Sequence, residues 1–261
     1  MTGDMTQGTE IYVHIPFCVR KCAYCDFLSF PAEKDLQRKY VEALLREIRD
    51  EMPLEYAAGM PAGDTEIIRT AVRSAAGSPS ADAETARTAA GSGRKEVSSV
   101  FLGGGTPSLL PAGWIAEILD ALRSRFLFSG EAEITIEANP GTADAEKFRI
   151  WRQAGINRIS FGCQSFHDQE LRALGRIHTA EDSYRSIRTA RQAGFTGINL
   201  DLISGIPGQS LESWEDNLRQ AVSLSPEHIS AYSLIIEENT PFYEKYPTGA
   251  VDEETDRRMY R

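Results

Sequence analysis

The stretch YVHIPFCVRKCAYCDF, residues 12–27, carries three of the four cysteines of this chain, Cys18, Cys22 and Cys25, in the spacing C-x3-C-x2-C. Soft thiolate ligands gathered on one short loop suit the iron of an iron–sulfur cluster. A fully ligated cluster needs a fourth cysteine, and the remaining one, Cys163, lies far along the chain. The pattern therefore predicts a cluster with one iron left open to another ligand.

Two other uses of these cysteines stay open at this point. Structural zinc needs four closed ligands, normally from two paired motifs, and the sequence has no second C-x2-C or H-x3-H pair. His14 could complete a zinc site only if its strand folded back. A disulfide fits poorly, because four cysteines in 261 residues without a signal peptide indicate a reducing compartment.

The composition and the net charge limit the classes of protein to which this chain can belong. The chain is 41% hydrophobic and 25% charged, which is typical of a globular domain, and its length suits one α/β barrel. An excess of 38 acidic over 28 basic residues gives a net charge of −10, which argues against a nucleic-acid partner. We find no apolar run of membrane-spanning length and no signal-peptide core, so we expect a cytoplasmic protein.

Alternating strand and helix patterns predict an α/β fold of six β/α units. Strands are predicted at 10–15, 96–102, 132–140, 157–161, 197–202 and 228–234. Helices are predicted at 33–52, 111–125, 142–153, 179–193 and 210–224, with Thr142 and Ser210 as N-caps. In such barrels functional groups lie at the carboxyl ends of the strands.

Several residues at the predicted strand ends could contact a ligand. The glycines of GGGTP (103–107) let the backbone approach a bound molecule closely. Glu137 ends one strand, and Asp201 is an unusual acid inside a parallel strand. From sequence alone Arg176 is best interpreted as a surface arginine, and Cys163 as a small buried hydrophobe. His178 is expected to be a capping or core histidine.

The segment 57–95 is rich in Ala, Gly, Ser and Thr and predicts a flexible insertion, with a functional lid as the less favoured interpretation. Residues 1–9 predict a flexible N-terminus. The core is predicted to span 10–245.

Tyr12, the HIPFC lead-in, the cysteine spacing and Tyr24-Cys25-Asp26-Phe27 resemble the radical S-adenosylmethionine (SAM) superfamily. More closely, they resemble the family of oxygen-independent coproporphyrinogen III oxidase and its haem-chaperone relative. The resemblance implies a partial (β/α)6 TIM-like barrel and a [4Fe-4S] cluster whose open iron is chelated by SAM. The resemblance also implies which residues bind each cofactor. The cluster ligands would be Cys18, Cys22 and Cys25. The residues that contact SAM would be Tyr12, Tyr24, Gly104, Gly105, Thr106, Glu137, Gln164, Arg176 and Asp201.

One departure divides the family. The oxidase branch has a further cysteine where this chain has Phe27, which favours the haem-chaperone branch. The resemblance then implies haem or porphyrin as ligand, haem-acceptor proteins as partners and a reductant such as flavodoxin or ferredoxin. The alternatives are a coproporphyrinogen III oxidase acting on porphyrin precursors, or a cluster protein without SAM chemistry if Cys163 is a cluster ligand. Because family members continue further, residues 246–261 are expected to begin a truncated C-terminal region.

Overall fold

The computed structural model describes residues 9–51, 66–68 and 96–261. The strands are β1 (Thr9–Ile15), β2 (Glu66–Ile68), β3 (Glu96–Gly104), β4 (Leu127–Ala138), β5 (Arg158–Gln164), β6 (Gly197–Ser204) and β7 (His228–Ser233). The helices are α1 (Lys34–Arg46), α2 (Ala112–Arg125), α3 (Ala145–Gln153), α4 (Asp168–Ala173), α5 (Ala180–Gln192), α6 (Leu211–Ser223), α7 (Pro241–Lys245) and α8 (Glu253–Tyr260). All six predicted strands are present, and the alternation with helices is confirmed.

The strands form one parallel sheet in the order β2-β1-β3-β4-β5-β6-β7. Val13 of β1 lies opposite Leu102 of β3, and Leu102 lies opposite Ile136 of β4, so the buried side chains of neighbouring strands stack in rows. Within the described ranges β2 and β7 are the two edges of the sheet, and they do not pair with each other. Residues that follow β1 nevertheless line the same cavity as residues of β7, so the sheet curls into an open barrel. The predicted partial (β/α) barrel is confirmed.

Strand β2 lies inside the segment 57–95, which the sequence predicted as a flexible insertion. It pairs with β1 in parallel, with Ile11 opposite Glu66 and Val13 opposite Ile68. The prediction omitted this edge strand, although two adjacent isoleucines in a stretch of small residues were a β signal. The rest of that segment and residues 1–8 lie outside the described residues. β1 itself begins at Thr9, one residue inside the predicted flexible N-terminus.

Apolar strand faces and helix faces make the core that fixes the strand ends. Phe148 and Trp151 of α3 are fully buried, and the ring of Phe148 meets those of Phe161 and Phe195 edge-on. Burial of each such side chain contributes on the order of 2 kcal/mol, and edge-on ring contacts add to this. The core therefore holds the carboxyl ends of the strands as a rigid platform.

The N-cap of α3 differs from the prediction. The Asp144 side chain accepts a hydrogen bond from the backbone N–H of Lys147 at 2.9 Å, so Asp144 and not Thr142 caps the helix. The Thr142 hydroxyl instead donates to the carbonyl of Asn139 at 2.6 Å. Both residues are good N-caps, and the local pattern cannot tell which one lies at the helix start. The predicted cap at Ser210 is confirmed, because its hydroxyl accepts from the backbone N–H of Ser213.

The chain ends in a helix that packs on the barrel. The indole N–H of Trp214 in α6 donates to the carbonyl of Met259 in α8 at 2.9 Å, and Met259 is buried. The last residues are thus helical, as expected, and that they begin a further domain stays a prediction. None of the helices in the described ranges has the length and apolar character needed to cross a membrane.

Candidate cofactor site at the carboxyl ends of the strands

A cavity of about 460 Å³ opens at the carboxyl ends of the strands. It collects most of the residues that the sequence singled out. The predicted site residues that line it are Cys18, Cys22, Tyr24, Cys25, Gly104, Gly105, Thr106, Glu137, Gln164, Arg176 and Asp201. Tyr12 is the predicted site residue that does not line this cavity.

The loop that carries the three cysteines is closed at its base by the backbone. The N–H of Cys18 donates to the carbonyl of Phe30 at 3.1 Å, and the N–H of Phe30 donates to the carbonyl of Pro16 at 2.9 Å. At the tip, the N–H of Cys25 donates to the carbonyl of Cys22 at 3.2 Å. All three thiols are free and partly exposed. The loop therefore presents three unpaired sulfurs to one cavity.

A belt of hydrogen bonds joins two of these cysteines through the strand ends. The Cys18 sulfur lies 3.5 Å from the Thr106 hydroxyl, which accepts from the Asn139 amide at 3.0 Å. The guanidinium of Arg176 donates to the Asn139 side-chain oxygen at 2.5 Å and to the Cys22 sulfur at 3.7 Å. The interpretation of Arg176 as a surface residue is therefore wrong, since its cationic group faces the cavity.

Two glycines at the end of β3 are required by the space around them. Gly104 has a φ of +113°, and a Cβ there would lie 2.5 Å from the His14 ring. A Cβ on Gly105 would lie 2.7 Å from the backbone oxygen of Phe17, at the base of the cysteine loop. Larger residues would push the cysteine loop away from β3. The glycines hold these two parts of the cavity wall together.

Two carboxyl groups face the cavity in different surroundings. Burial raises the pKa of Glu137 to about 7, with Asp201 raising it further and a hydrogen bond from the backbone N–H of Gly104, at 3.0 Å, opposing this. The Asp201 carboxylate accepts from the Ser160 hydroxyl at 2.9 Å and from the Asn199 amide at 2.7 Å. Glu137 is thus suited to a cationic partner in the cavity, and Asp201 is held by neutral donors.

Gln164 has a strained backbone. Its φ is +64°, and the N–H of Ser165 donates across it to the carbonyl of Cys163 at 2.8 Å, which makes a γ-turn. The turn directs the Gln164 side chain into the cavity, where its oxygen accepts from the Tyr232 hydroxyl at 3.4 Å. Strain of this kind persists only where the surroundings impose it.

A buried polar cluster around Glu170 imposes this turn. We call it the Glu170 cluster; it comprises Ser165, Glu170, Gln209, Ser213 and Asn217. The Glu170 carboxylate, 5% exposed, accepts from the Ser165 hydroxyl at 2.7 Å and from the side-chain amides of Gln209 and Asn217, each at 2.9 Å. The Ser213 hydroxyl is its fourth donor. The cluster thereby ties together the loops that follow β5 and β6.

Tyr12 and Tyr24 take different places. The Tyr12 hydroxyl lies 3.2 Å from a ring nitrogen of His14, its ring stacks on Phe101, and burial raises its pKa to about 12. Tyr24 lines the cavity, and burial raises its pKa to about 12 while the adjacent Arg176 cation lowers it. Tyr12 thus supports the wall from behind, whereas Tyr24 faces the cavity.

Cys163 lies in β5, and His178 packs against its backbone. Cys163 is fully buried, and burial raises the pKa of its thiol to about 12. A nitrogen of the His178 ring lies 3.1 Å from the Cys163 carbonyl, and His178 is buried as well. The predictions of a small buried hydrophobe and a core histidine are both confirmed.

Sequence reasoning missed some residues of the site. Asn139 is the centre of the hydrogen-bonded belt, and Ser160 and Tyr232 hold Asp201 and Gln164. Ser29 is a buried residue that lines the cavity. Asn139 and Tyr232 lie at the ends of β4 and β7, so strand-end position was a signal for them. Nothing in the local sequence distinguishes Ser29.

The residues fit an iron–sulfur cluster better than a single metal ion. Three free thiols face one cavity, and the Cys22 sulfur has a guanidinium beside it that would stabilise negative charge. In the described ranges, no three His, Cys, Asp or Glu side chains converge closely enough to hold one ion, as zinc would require. The remaining lining offers a buried carboxyl, a guanidinium and amide and hydroxyl groups, a set that suits a ligand with amino and carboxylate groups.

Comparison with known proteins agrees with this site. The model of the radical SAM superfamily matches residues 69–221, a range that excludes the three clustered cysteines. The curated heme chaperone HemW of Haemophilus influenzae is 39% identical over 239 residues, covering 91% of this chain and 54% of that protein. HemW of Escherichia coli is also 39% identical, covering 91% of this chain and 53% of that protein.

A solved structure gives the same fold. It is titled as coproporphyrinogen III oxidase (HemN) from Escherichia coli, a radical SAM enzyme, and superposes with a TM-score of 0.75 at 25% identity. The superposition covers 97% of this chain and 51% of that one. The chain thus spans about half the length of the curated relatives it matches.

Proposed function

Since this chain belongs to the radical SAM superfamily, in the family that contains haem chaperones and oxygen-independent coproporphyrinogen III oxidases, we propose that it is a haem chaperone that carries a [4Fe-4S] cluster and SAM. The observation that carries this proposal is the convergence of three free thiols with the Gly104–Thr106 turn and Glu137 on one cavity. The names of the curated relatives favour the chaperone over the oxidase.

The chain's own groups suggest how the cofactors would be held. Cys18, Cys22 and Cys25 would ligate the cluster, which when bound supplies an electron to SAM. Arg176 would pair with the SAM carboxylate through its planar donors. Glu137 would accept from the adjacent SAM amino group.

A further part of the proposal is that haem binds at the mouth of the same cavity. Phe27, Leu28 and Ile235 are 70%, 75% and 70% exposed, and the first and last of these line the cavity. Arg20 and Lys21 line it too. Exposed apolar groups that cluster together mark binding surfaces, and cations beside them suit the carboxylates of a flat apolar macrocycle. We propose that haem-acceptor proteins and an electron donor act at this side, which is where the haem would be exchanged.

The cluster is tested by low-temperature EPR of anaerobically reconstituted, dithionite-reduced protein, with and without SAM. We expect a reduced [4Fe-4S] signal that changes when SAM is added. Cys22→Ser should lose the signal, whereas the matched control Cys163→Ser should keep it, because Cys163 is buried away from the cavity. A cluster signal that does not change when SAM is added, or one that is lost in Cys163→Ser, would contradict the proposal.

Haem transfer is tested by absorbance titration with haem and by transfer to an apo-haemoprotein. Phe27→Ser should weaken haem binding about tenfold, through loss of a few tens of Å² of apolar contact. Val222→Ser removes an apolar side chain that is 63% exposed on α6, away from the cavity, and should change nothing.

The oxidase is the second candidate, and its support is the fold shared with coproporphyrinogen III oxidase. Anaerobic incubation with coproporphyrinogen III, SAM and a reductant distinguishes the two. The chaperone proposal expects no decarboxylated product, and stoichiometric protoporphyrinogen would overturn it.

A further inference from the structure

Ser29 is a buried hydroxyl that lacks a partner. It is 6% exposed, and its oxygen makes no hydrogen bond within the described part of the chain. Other buried side-chain atoms in the described residues also lack a hydrogen-bond partner, but of these residues Ser29 is the one that lines the cavity. A buried polar group without a partner is costly, so it needs a reason. A hydroxyl that faces a ligand cavity has one, because a ligand can complete its hydrogen bonding.

The neighbours of Ser29 fix its place in the cavity. The carbonyl of Leu28 lies 3.0 Å from a His14 ring nitrogen, and the His14 ring packs against Gly104. On the other side, Phe30 forms a bridge with Phe17, whose backbone packs against Gly105. Both sequence neighbours of Ser29 thus contact a residue, His14 or Phe17, that packs against the glycine turn.

The same turn supports the buried carboxyl of Glu137, through the hydrogen bond from the Gly104 N–H. The cationic Arg176 is instead bonded to Asn139 and to the carbonyl of Gly162, at the end of β5. Ser29 and the Glu137 carboxyl therefore lie beside the same glycine turn. An amino group keeps two N–H groups even when its lone pair binds a metal, so a second acceptor has a place beside the Glu137 carboxyl.

We propose that the Ser29 hydroxyl accepts a hydrogen bond from the amino group of the amino-acid portion of the bound ligand, alongside Glu137. This assignment rests on the proposed function, which supplies a ligand with such a group. Ser29 is then a binding residue that recognises the amino group of the ligand and does not recognise its nucleoside portion.

The experiment compares two ligands that differ in the amino-acid portion. Anaerobically reconstituted protein is titrated with SAM and with desamino-SAM, the analogue that lacks only the α-amino group. In Ser29→Ala the dissociation constant for SAM should rise about 3- to 10-fold, the size expected for one hydrogen bond, while that for desamino-SAM should stay the same. Ser29→Thr, which keeps a hydroxyl, should restore much of the SAM affinity.

Stability gives an independent readout. Because Ser29→Ala removes an unpartnered buried hydroxyl, its thermal midpoint without cofactors should equal or exceed that of the parent. Ser186→Ala is the matched control: its buried hydroxyl accepts from the Gly141 N–H at 3.0 Å, so this variant should unfold earlier and bind SAM normally.

Unchanged SAM affinity in Ser29→Ala, or equal loss for both ligands, would overturn the assignment while leaving the proposed function intact. A parent protein that holds the cluster and binds neither ligand would overturn the proposed function, and this assignment with it.

Discussion

The two walls of the cavity are built in opposite ways. On the wall from β1 and β3, three thiols and the Ser29 hydroxyl face the cavity, and the Ser29 hydroxyl has no partner within the described part of the chain. On the wall from β5 and β6, polar groups are tied to one another, as in the Glu170 cluster and in the bonds from Ser160 and Asn199 to Asp201. One wall is left for ligands to complete, and the other is complete before any ligand arrives.

This difference between the walls shows that different residues of the fold determine stability and ligand binding. A satisfied buried network rigidifies the chain that carries it, and here that chain includes the strained turn at Gln164. The loop with the cysteines is held mainly by backbone bonds at its base and by close packing on Gly105. Variants in the Glu170 cluster should therefore act on folding, whereas variants of the clustered cysteines and of Ser29 should act on ligands.

The largest loss of stability is expected on substitution of Glu170. If this loss were absent, the two walls would not differ as described. Glu170→Ala leaves several buried donors without an acceptor, so the free energy of unfolding should fall by about 3 kcal/mol or more. Urea unfolding of the cofactor-free protein measures this. Glu146→Ala is the matched control on an exposed helix face, where Glu146 pairs with Arg149, and it should leave stability nearly unchanged. A loss in Glu170→Ala no larger than in the control would refute the role of the cluster.

A smaller effect on the same wall depends on pH. Burial, with the nearby Arg176 cation adding to it, lowers the pKa of His178 to about 4, below its ordinary 6.5. Below the ordinary value the unfolded chain binds a proton that the folded chain does not. Stability from this residue is therefore full above pH 6.5 and falls as pH drops toward 4, by roughly 3 kcal/mol in all.

His178→Gln isolates this contribution. The variant should be less stable than the parent at neutral pH, since the contact with the Cys163 carbonyl is weakened, but its stability should fall less steeply between about pH 6.5 and pH 5. Urea unfolding at several pH values gives both slopes. Parallel slopes for the two proteins would mean that His178 does not contribute to acid sensitivity.

The smallest effect on stability is expected on the other wall. Cys22→Ser changes a partly exposed thiol in a loop whose base bonds do not involve it, so the cofactor-free protein should unfold within about 0.5 kcal/mol of the parent. The same variant should lose bound iron after reconstitution. If Cys22→Ser destabilised the cofactor-free protein as strongly as Glu170→Ala, the two walls would not differ as described.

Local patterns predicted much of this molecule, and the failures have a common cause. Alternating and helical periodicity gave six strands and the helices between them, because both depend on residues close in sequence. The sequence predicts Thr142 as an N-cap because it does not reveal that this hydroxyl bonds to Asn139. Arg176 resembled a surface residue because its partners, Asn139 and Cys22, come from other units of the barrel.

The candidate site divides in the same way. Spacing alone brought the cysteines together, and glycine content identified the turn after β3. The sequence places Asn139 at a strand end but predicts no role for it, and it does not indicate Ser29 at all, because the importance of both depends on which groups they meet, or fail to meet, across the barrel. The placement of Tyr12 behind the wall also follows from packing, through its ring stacked on Phe101.

The γ-turn at Gln164 has a consequence for how this protein could be improved by selection. Glycine adopts the left-handed backbone of that residue without strain, whereas glutamine does not. Mutagenesis followed by heat challenge should therefore enrich Gln164→Gly, a change that relaxes the backbone and deletes a side chain from the cavity. Selection for thermal stability would favour glycine at position 164, whereas selection for ligand binding would favour glutamine there.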